Sequence, residues 1–373
     1  MKSSEFRALT SAPLNGAPSP AALIRNHITG VADFFVRNHG EVPGPPKPGT
    51  ETPLSLRVTG LVQTPLDLPF PDPSVSPVSA QAPRYPFLAT RSSIESSLQC
   101  AGNRRTSLQR IRQIPNEVPW TNEAIGNAIW EGISLKEILD HSILDPQAKH
   151  VWFLGSEALT GKHAGEKFGA SIPIEKAIDG SVILADTMNG APLTANHGAP
   201  LRAIVPGYIG ARSVKWLAEI RVEREPSPNY FQRAYSVFPS TMLAVPHGNT
   251  GGIVLGEMPL NSAFAAPEDG ARVSPGTLTA RGWSLAGGDR LVERVEVSAD
   301  GGTTWAPARF LSPAKKFVWR IWEAELTLGR GEHELVCRAF DNAGNHQPSN
   351  PADVWNVKGY ANNSWDRVRI GAL

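Results

Sequence analysis

One cysteine of this chain lies close to two arginines. Cys100 is followed by the small residues Ala101 and Gly102, and Arg104 and Arg105 come four and five positions after it. Guanidinium charge favours the thiolate form of a nearby cysteine, which is the form that binds metals or attacks electrophiles. Small neighbours let the backbone approach a bound group closely. The segment predicts a metal-binding or reactive thiolate, and an inert buried cysteine is the alternative.

Two other segments combine basic and polar side chains with apolar ones. Arg37, Asn38 and His39 directly follow an apolar run. A glycine-punctuated stretch supplies further donors, which are His197, Arg202, Arg212, Ser213 and Lys215. Forked guanidinium groups and a lysine ammonium are suited to hold a phosphate. These segments predict a site for an anionic cofactor and an anionic substrate. A surface turn after residue 36 and a solvated basic loop at 197–215 are the alternatives.

Composition excludes several classes of protein. The 373 residues carry 36 Lys plus Arg and 35 Asp plus Glu, so the formal net charge of +1 offers no basic excess for nucleic acid. The 41% of hydrophobic residues suffices for sizeable cores. There is no apolar run of about 18 residues, so no membrane helix is expected. Without a recognisable targeting signal, the sequence predicts a soluble intracellular protein, most simply a cytoplasmic one, with peroxisomal or mitochondrial locations left open.

The second cysteine and the standard motifs add further exclusions. Two cysteines cannot form a disulfide scaffold, and Cys337 lies on an alternating apolar pattern typical of a core strand. The sequence has no P-loop, no dinucleotide-binding fingerprint, no zinc-binding H-E-x-x-H helix and no G-x-S-x-G nucleophile elbow. The chemistry therefore depends on the thiol and the basic segments.

Local patterns predict the elements that must position these residues. The first 20 residues are rich in Ser, Ala and Pro and are predicted to be irregular, and the Pro-rich stretches 41–53 and 65–86 are predicted loops. Strands are predicted at 54–60, 150–154 and 181–185, and short helices near 122–130 and 134–141. The region up to about residue 240 is therefore a mixture of α and β structure with long loops.

The pattern changes after about residue 245. Alternating segments at 294–297 and 335–340 are each followed by a turn containing Asp and Gly. Short strands at this spacing favour a β-sandwich of immunoglobulin type.

Four motifs occur together in a familiar order. FFVRNHG at 34–40, LQCAGNRR at 98–105, HGAPLR at 197–202 and GARSVKWL at 210–217 resemble the sulfite oxidase family of molybdenum enzymes, which includes the molybdenum domain of eukaryotic nitrate reductase. The resemblance implies an α+β molybdopterin-binding domain of the sulfite oxidase type at 23–243, preceded by an N-terminal segment, 1–22. It also implies an immunoglobulin-like β-sandwich at 244–373 that forms a homodimer.

The resemblance also implies roles for individual residues. Cys100 would supply the protein sulfur on molybdenum. The molybdopterin would be bound by Arg37, Asn38, His39, Cys100, Ser156, Glu157, His197, Arg202, Arg212, Ser213 and Lys215, with Glu157 at a position where the family has Asp. The substrate pocket would contain Arg37, Arg105, Trp120 and Tyr235. A further arginine of the family has no clean match, and Lys315, Lys316 and Arg320 are all candidates.

The implied activity is oxidation of sulfite to sulfate by oxygen-atom transfer, with electrons passed to oxygen or an external acceptor. A chain of 373 residues leaves no room for a haem or flavin domain, so the layout resembles the haem-free plant-type enzymes. Nitrate or another small oxo-substrate is the alternative on the same scaffold, although Tyr235 before Phe238 and Pro239 is more similar to sulfite oxidases. A non-catalytic binding protein with a decayed site is a third hypothesis, which the intact site residues disfavour.

Overall fold

The protein is described from a computed structural model that covers residues 2–43, 55–70, 91–157, 159, 163–245 and 251–373. The strands before residue 246 are β1 Arg7–Ser11, β2 Leu14–Ala17, β3 Ser55–Gly60, β4 Leu66–Pro69, β5 Ser92–Gln99, β6 Ile125–Ser134, β7 His150–Gly155, β8 Gly169–Pro173, β9 Ile183–Met188, β10 Ala191–Pro192, β11 Arg202–Ile204, β12 Leu217–Glu223 and β13 Ser236–Val237. The later strands are β14 Ile253–Val254, β15 Asn261–Ala266, β16 Arg272–Val273, β17 Gly276–Leu285, β18 Val292–Ser298, β19 Ala306–Pro307, β20 Arg309–Phe310, β21 Arg320–Leu328, β22 Gly331–Asp341 and β23 Asp366–Ala372. The helices are α1 Pro20–Leu23, α2 Arg105–Gln109, α3 Leu135–Ser142, α4 Ile174–Ala177, α5 Tyr230–Ala234 and α6 Pro351–Val354.

Two sheets in the first part of the chain position the polar segments. The first sheet has the order β10-β9-β6-β5, and β11 also pairs with β9. The second has the order β4-β3-β12-β7-β8, in which β3 and β12 run parallel. Cys100 directly follows β5, Ser156 directly follows β7, and Lys215 lies just before β12. The ends of strands from both sheets therefore fix the loops that carry the predicted site residues.

Helix α3 packs against the core of the second sheet. The Ser134 side chain accepts a hydrogen bond from the Glu137 amide and caps the helix. Leu135, Ile138 and Leu139 lie on one buried face and belong to the same apolar cluster as the second sheet. Burial of each of these side chains contributes about 1.5–3 kcal/mol. The predicted helix at 134–141 is confirmed.

The chain after residue 250 forms two further antiparallel-rich sheets, with the orders β15-β17-β21-β20 and β16-β23-β22-β18-β19. Their facing side chains form one cluster that includes Trp322, Val295 and Leu335. Cys337 belongs to this cluster, and burial raises the pKa of its thiol. The predicted β-sandwich is confirmed, as is the core position of Cys337.

Three local predictions were wrong: a helix near 122–130, an irregular N-terminus and, at residues 66–69, a loop. The segment predicted as a helix near 122–130 is largely strand β6, which pairs with β5 on one side and β9 on the other. A short apolar run buried on both faces does not distinguish helix from strand by periodicity, and Ile129 and Trp130 favour a sheet. The N-terminal residues predicted as irregular form the hairpin β1–β2, which also bonds through Gly16 to Val36, and the helix α1, which is capped by the Ser19 side chain.

The remaining local predictions fall partly on described residues and partly outside them. The strands at 54–60, 150–154 and 181–185 correspond to β3, β7 and β9. Of the Pro-rich stretch 65–86, residues 66–69 form β4, an edge strand whose last residue is Pro69, as proline permits. Residues 44–54 and 71–90 lie outside the described residues. Within the described part of the chain, no helix has the length and apolar character needed to cross a membrane.

Candidate active site

A pocket of about 690 Å³ lies where the loops of the two N-terminal sheets meet. Ten of the predicted site residues line it, namely Arg37, Asn38, His39, Cys100, Glu157, His197, Arg202, Ser213, Lys215 and Tyr235. The walls between them are largely apolar and include Phe34, Phe35, Leu98 and Phe168. The structure therefore brings the thiol and the basic segments, far apart in sequence, to one cavity.

The loop that follows β5 presents the thiol to this pocket. The Cys100 amide donates to the Ala124 carbonyl at 2.9 Å, and Cys100 Sγ accepts from the Gly102 amide at 3.4 Å. A Cβ atom at Gly102 would lie 2.3 Å from the guanidinium of Arg105, so a larger residue cannot enter this turn without displacing that group. The sequence Cys-Ala-Gly thus packs a thiol and a guanidinium closely together.

Arg104 anchors the same loop to the C-terminal domain. Its backbone is left-handed, with φ of 64°, and its guanidinium is fully buried. The guanidinium donates to Asp366 Oδ1 at 3.0 Å, to Asn261 Oδ1 at 2.7 Å and to the Ser364 carbonyl at 2.8 Å. The position of Cys100 therefore depends on residues more than 150 positions later in the chain.

Two buried cations face the pocket without a carboxylate ion pair among the described residues. Arg202 donates to the carbonyls of His197 at 2.9 Å and Ser213 at 3.1 Å, while its Nε has no hydrogen-bond partner in the part of the chain that the structure describes. Burial lowers the pKa of Arg202 to about 9. Lys215 donates to the Asn196 carbonyl at 3.1 Å and to Asn38 Oδ1, and burial also lowers its pKa. Buried charge of this kind is costly unless a ligand of opposite charge compensates it.

Tyr235 and His39 form a neutral hydrogen-bonded pair at the same pocket. Tyr235 Oη lies 2.7 Å from His39 Nε2, and the imidazole stacks on Phe168 with ring centroids 4.9 Å apart. Burial, together with the positive charges of Arg37 and Lys215, lowers the pKa of His39, whereas burial raises the pKa of Tyr235. At neutral pH the pair therefore offers a hydroxyl and an uncharged imidazole to the pocket.

The remaining predicted residues lie behind the pocket wall. Arg105 donates to the carbonyls of Val118 at 2.5 Å and Lys358 at 3.0 Å, and it lies 3.5 Å from Glu117. Trp120 is fully buried with an edge-to-face contact to Phe35, and its Nε1 has no hydrogen-bond partner within the described ranges.

Ser156 and Arg212 also lie outside the pocket lining. The Ser156 amide donates to the Trp216 carbonyl at 2.8 Å. Arg212 donates to the carbonyls of Leu255 and Gln232, and its Nη1 has no hydrogen-bond partner among the residues described by the structure. The ligand-binding roles of Arg105, Trp120, Ser156 and Arg212, like those of the residues that line the pocket, stay predictions.

The three candidates for the unmatched arginine bind elsewhere. Lys315 pairs with Glu95, Lys316 pairs with Asp289, and Arg320 donates to the Val292 carbonyl. None of them is among the residues that line the pocket.

The sequence interpretation missed a cation, Lys358, that lies nearer to the pocket than these three residues. Lys358 forms an ion pair with Glu117, which also contacts Arg105, and Tyr360 stacks on Tyr235 at 5.1 Å. No local pattern marks these residues, because their partners are more than 100 positions away.

Comparison with known families identifies the family to which this chain belongs. Residues 45–231 match the model of an oxidoreductase molybdopterin binding domain, which covers half of the chain. Residues 253–372 match the model of a Mo-co oxidoreductase dimerisation domain. The chain belongs to the sulfite oxidase family of molybdopterin oxidoreductases. This confirms the resemblance carried by the four motifs. The segment that holds Arg37, Asn38 and His39 lies ahead of the first matched range.

Individual relatives agree with the family. The chain is 35% identical to a sulfite oxidase of Arabidopsis thaliana over 96% of its own length and 92% of that protein. It is 36% identical to the mitochondrial sulfite oxidase of Homo sapiens, over 96% of this chain but 64% of the length of the human protein. A nitrate reductase of Lotus japonicus is 34% identical over 98% of this chain and 41% of its own length. The relatives of this chain therefore include proteins named sulfite oxidase and a protein named nitrate reductase.

A solved structure has the same fold. The crystal structure of the sulfane dehydrogenase SoxCD from Paracoccus pantotrophus superimposes with a TM-score of 0.78 at 23% identity, covering 97% of this chain and 87% of that one. At this identity the likeness establishes the fold alone, including the order of the mixed domain and the β-sandwich.

The residues of the pocket fit a molybdopterin cofactor. Lys215 and Arg202 are buried cations for a phosphate, and Arg202 Nε is an unused donor. Cys100 offers a soft sulfur donor, which suits a molybdenum ion better than a hard oxygen would. The buried Oε2 of Glu157 has no hydrogen-bond partner among the described residues, so it can accept from a bound pterin ring.

Replacement of Lys215 by methionine should lower the molybdopterin content of the purified protein without lowering the stability of the cofactor-free form. Removing a buried charge relieves a desolvation cost. A bound phosphate would instead lose one charged hydrogen bond, worth about 1.5–3 kcal/mol, or roughly ten- to a hundredfold in affinity. Pterin fluorescence after oxidative release measures the content, and thermal unfolding measures the stability. Lys316→Met, at an exposed pair with Asp289, is the control. Equal pterin content in Lys215→Met and the control would contradict the assignment.

Glu157 makes the stability of the cofactor-free protein depend on pH. Burial raises the pKa of its carboxyl from 4.5 to about 7, opposed by the charges of Lys215 and Arg37. Between these values the folded protein holds a proton that the unfolded chain has released, so the stability falls as the pH rises through this window. Glu157→Gln removes the effect and should gain up to about 3 kcal/mol of unfolding free energy at pH 8 relative to pH 4.5. Urea unfolding at both pH values checks this. A gain that is equal at both would show that Glu157 titrates normally.

Proposed function

We propose that this chain oxidises sulfite to sulfate and passes the electrons to oxygen or an external acceptor. The observation that carries the proposal is the convergence of Cys100, Arg37 and Tyr235 on one pocket that also contains buried cations. Several of the relatives that match almost the whole chain are named sulfite oxidase, including the Arabidopsis protein with a similar length. The geometry and these relatives support the same substrate class, a small oxyanion.

The residues of the chain have separate tasks in this proposal. When bound, the molybdenum cofactor would supply the two-electron, oxygen-atom-transfer chemistry. In the net reaction, sulfite and water give sulfate, two protons and two electrons, which pass to the acceptor. Cys100 would hold the metal, while Lys215, Arg202 and Asn38 would hold the pterin and its phosphate. Arg37 attracts and orients the sulfite anion, which becomes a sulfate dianion. The Tyr235 hydroxyl, oriented by His39, donates a hydrogen bond to an oxygen of the anion.

Arg105 does not line the pocket, so its proposed role is electrostatic. Its guanidinium touches Gly102 and shares Glu117 with Lys358, so it contributes positive potential close to the thiol. Trp120 closes the apolar wall through Phe35. Apolar walls around positive charges strengthen the attraction for an anion, because the local dielectric constant is lower than in bulk water.

We also propose that two copies of the chain associate through residues 253–372, the range that matches a dimerisation domain. Light scattering coupled to size exclusion would measure the mass. The predicted domain limits at 22 and 243, the cytoplasmic location and the lack of a haem or flavin group stay predictions.

The experiment that tests the function compares two substrates on one preparation. Molybdenum-loaded protein is assayed with sulfite and ferricyanide, and separately with nitrate and a reduced dye. The proposal expects sulfite oxidation that depends on the metal content and little reduction of nitrate. A molybdenum-loaded protein that reduces nitrate and ignores sulfite would assign the chain to the nitrate reductase branch instead.

A further inference from the structure

The N-terminal hairpin lies directly against the segment that carries Arg37. Strand β2 makes a pair of backbone hydrogen bonds with that segment, from the Gly16 amide to the Val36 carbonyl at 3.0 Å and from the Val36 amide to the Gly16 carbonyl at 2.8 Å. A Cβ at Gly16 would lie 2.2 Å from the Arg7 carbonyl of β1, so the close approach requires glycine. The backbone of the hairpin therefore has a fixed position relative to Arg37.

Within this hairpin, Asn15 reaches the guanidinium itself. The side chain of Asn15 is buried, with 2% of the residue exposed. Its Oδ1 accepts from the Asn38 amide at 2.7 Å and from Arg37 Nη1 at 3.2 Å. The two donors belong to adjacent residues of one loop, so one oxygen contacts both the loop backbone and the charged group, whose Nη1 also donates to the Asn38 carbonyl.

The nitrogen of the Asn15 side-chain amide is also held in place. Asn15 Nδ2 donates to Thr10 Oγ1 at 2.8 Å and to the Pro13 carbonyl at 3.1 Å. Thr10 Oγ1 in turn donates to the Pro13 carbonyl at 2.6 Å. With both amide hydrogens engaged, Oδ1 can face only the Arg37 side, because rotating the amide by half a turn would oppose donor to donor. The hairpin thus selects the orientation of the amide.

Asn15 is an uncharged partner of Arg37, and this affects the net charge of the pocket. Arg104 and Arg105 each pair with a carboxylate, Asp366 and Glu117. Among the described residues, Arg37 has no carboxylate within ion-pair distance. An amide oxygen orients a guanidinium without cancelling its charge, so the charge remains available to an anion.

We propose that Asn15 is a positioning residue that aims Arg37 at the anionic substrate while leaving its charge uncompensated. This inference rests on the proposed function for the identity of the anion, sulfite, and on the geometry of the hairpin for the role of Asn15. It makes residues 7–17, which precede the matched molybdopterin-binding range, a part of the substrate site.

Two variants separate this role from simple support of the fold. Asn15→Asp keeps the shape and the oxygen that faces Arg37, adds a negative charge beside it, and replaces the two donors to Thr10 and Pro13 by an acceptor. Asn15→Leu keeps the approximate size and removes all four side-chain hydrogen bonds. Gln347→Met is the matched control, because Gln347 is an equally buried amide, at 1% exposure, that bonds Ala339, Asn363 and Ser364 in the C-terminal part of the chain.

Two readouts are measured on the molybdenum-loaded proteins. The first is kcat and KM for sulfite with ferricyanide, and the second is the affinity for sulfate obtained from the rise of Tm with sulfate concentration. Asn15→Asp should raise the sulfite KM and weaken sulfate binding at least about tenfold, the size of one hydrogen bond to a charged group. Its kcat at saturating sulfite should stay within about twofold of the wild type, since binding rather than the chemical step is affected. Asn15→Leu should shift both quantities in the same direction, and Gln347→Met should lower Tm alone.

The outcomes are distinguishable. Wild-type KM and sulfate affinity in Asn15→Asp would overturn the proposal, as would a loss confined to kcat. If Asn15→Leu does not fold, Asn15→Asp decides alone. If the wild-type protein does not oxidise sulfite, the proposed function fails, while the sulfate titration still determines whether Asn15 controls anion binding.

Discussion

Cys100→Ser should lose at least about a thousandfold in sulfite turnover, which is about 4 kcal/mol of transition-state stabilisation, while keeping its fold. A cysteine sulfur is a soft donor that binds a metal as the thiolate, whereas a serine hydroxyl is a hard donor. The exchange is nearly isosteric, and Cys100 Sγ makes one protein hydrogen bond, from Gly102. Steady-state sulfite oxidation normalised to pterin content measures the loss separately from any loss of cofactor.

The chain offers a matched control for this substitution. Cys337 is also buried, but it lies in the β-sandwich, 3.8 Å from Ser262 Oγ and in the apolar cluster of that domain. Cys337→Ser should lower Tm and leave the turnover per folded molecule unchanged. Full sulfite turnover in Cys100→Ser would remove the thiolate from the mechanism and return Cys100 to the status of a packing residue.

Asp366→Ala should destabilise the protein by about 3–5 kcal/mol, because it leaves the fully buried guanidinium of Arg104 without its counter-charge. The carboxylate accepts from Arg104 through Oδ1 at 3.0 Å, and from Asn122 and the Phe264 amide through Oδ2 at 2.8 and 2.9 Å. Since Arg104 lies in the Cys100 loop, the same change should also loosen the thiol and reduce cofactor content. Urea unfolding of the cofactor-free protein measures the first effect, and pterin analysis measures the second.

A double variant and a surface pair test the cause. Arg104→Met combined with Asp366→Ala should be less destabilised than the sum of the two single changes, because no buried charge is then left alone. Asp140→Ala, which breaks the exposed Lys136–Asp140 pair, should cost no more than about 0.5 kcal/mol. A cost of that small size for Asp366→Ala would mean that water or another group compensates Arg104, and the anchoring role would be withdrawn.

The fold was predictable where local signals are strong. The capped helix after Ser134, the apolar strand at 150–155 and the alternating strands around Cys337 all carry patterns that depend on near neighbours. The failures have a common cause. Strand β6 is defined by pairing with β5 and β9. The hairpin β1–β2 is a two-stranded sheet of its own, joined to the rest of the chain by the bridge from Gly16 to Val36. Neither Ala-Ile-Trp at 128–130 nor the Ser- and Pro-rich N-terminus carries that information.

The site shows the same division. Cys100, Arg37, His39, Lys215 and Tyr235 could be selected from motifs, and the structure places all of them around one pocket. Their supporting partners could not. Asn15 contacts Arg37, 22 positions away. Glu117 contacts Arg105, 12 positions away, and Asp366 contacts Arg104, 262 positions away. Each of the three is an ordinary polar residue in its own segment.

Anaerobic mixing of molybdenum-loaded protein with sulfite, in the absence of any electron acceptor, tests the central claim most directly. Sulfate is then quantified by ion chromatography and compared with the molybdenum content of the sample. The account predicts sulfate in an amount equal to the metal, further sulfate when ferricyanide is added, and none from Cys100→Ser. A fully molybdenum-loaded wild-type protein that leaves sulfite unchanged, before and after ferricyanide is added, would contradict the account.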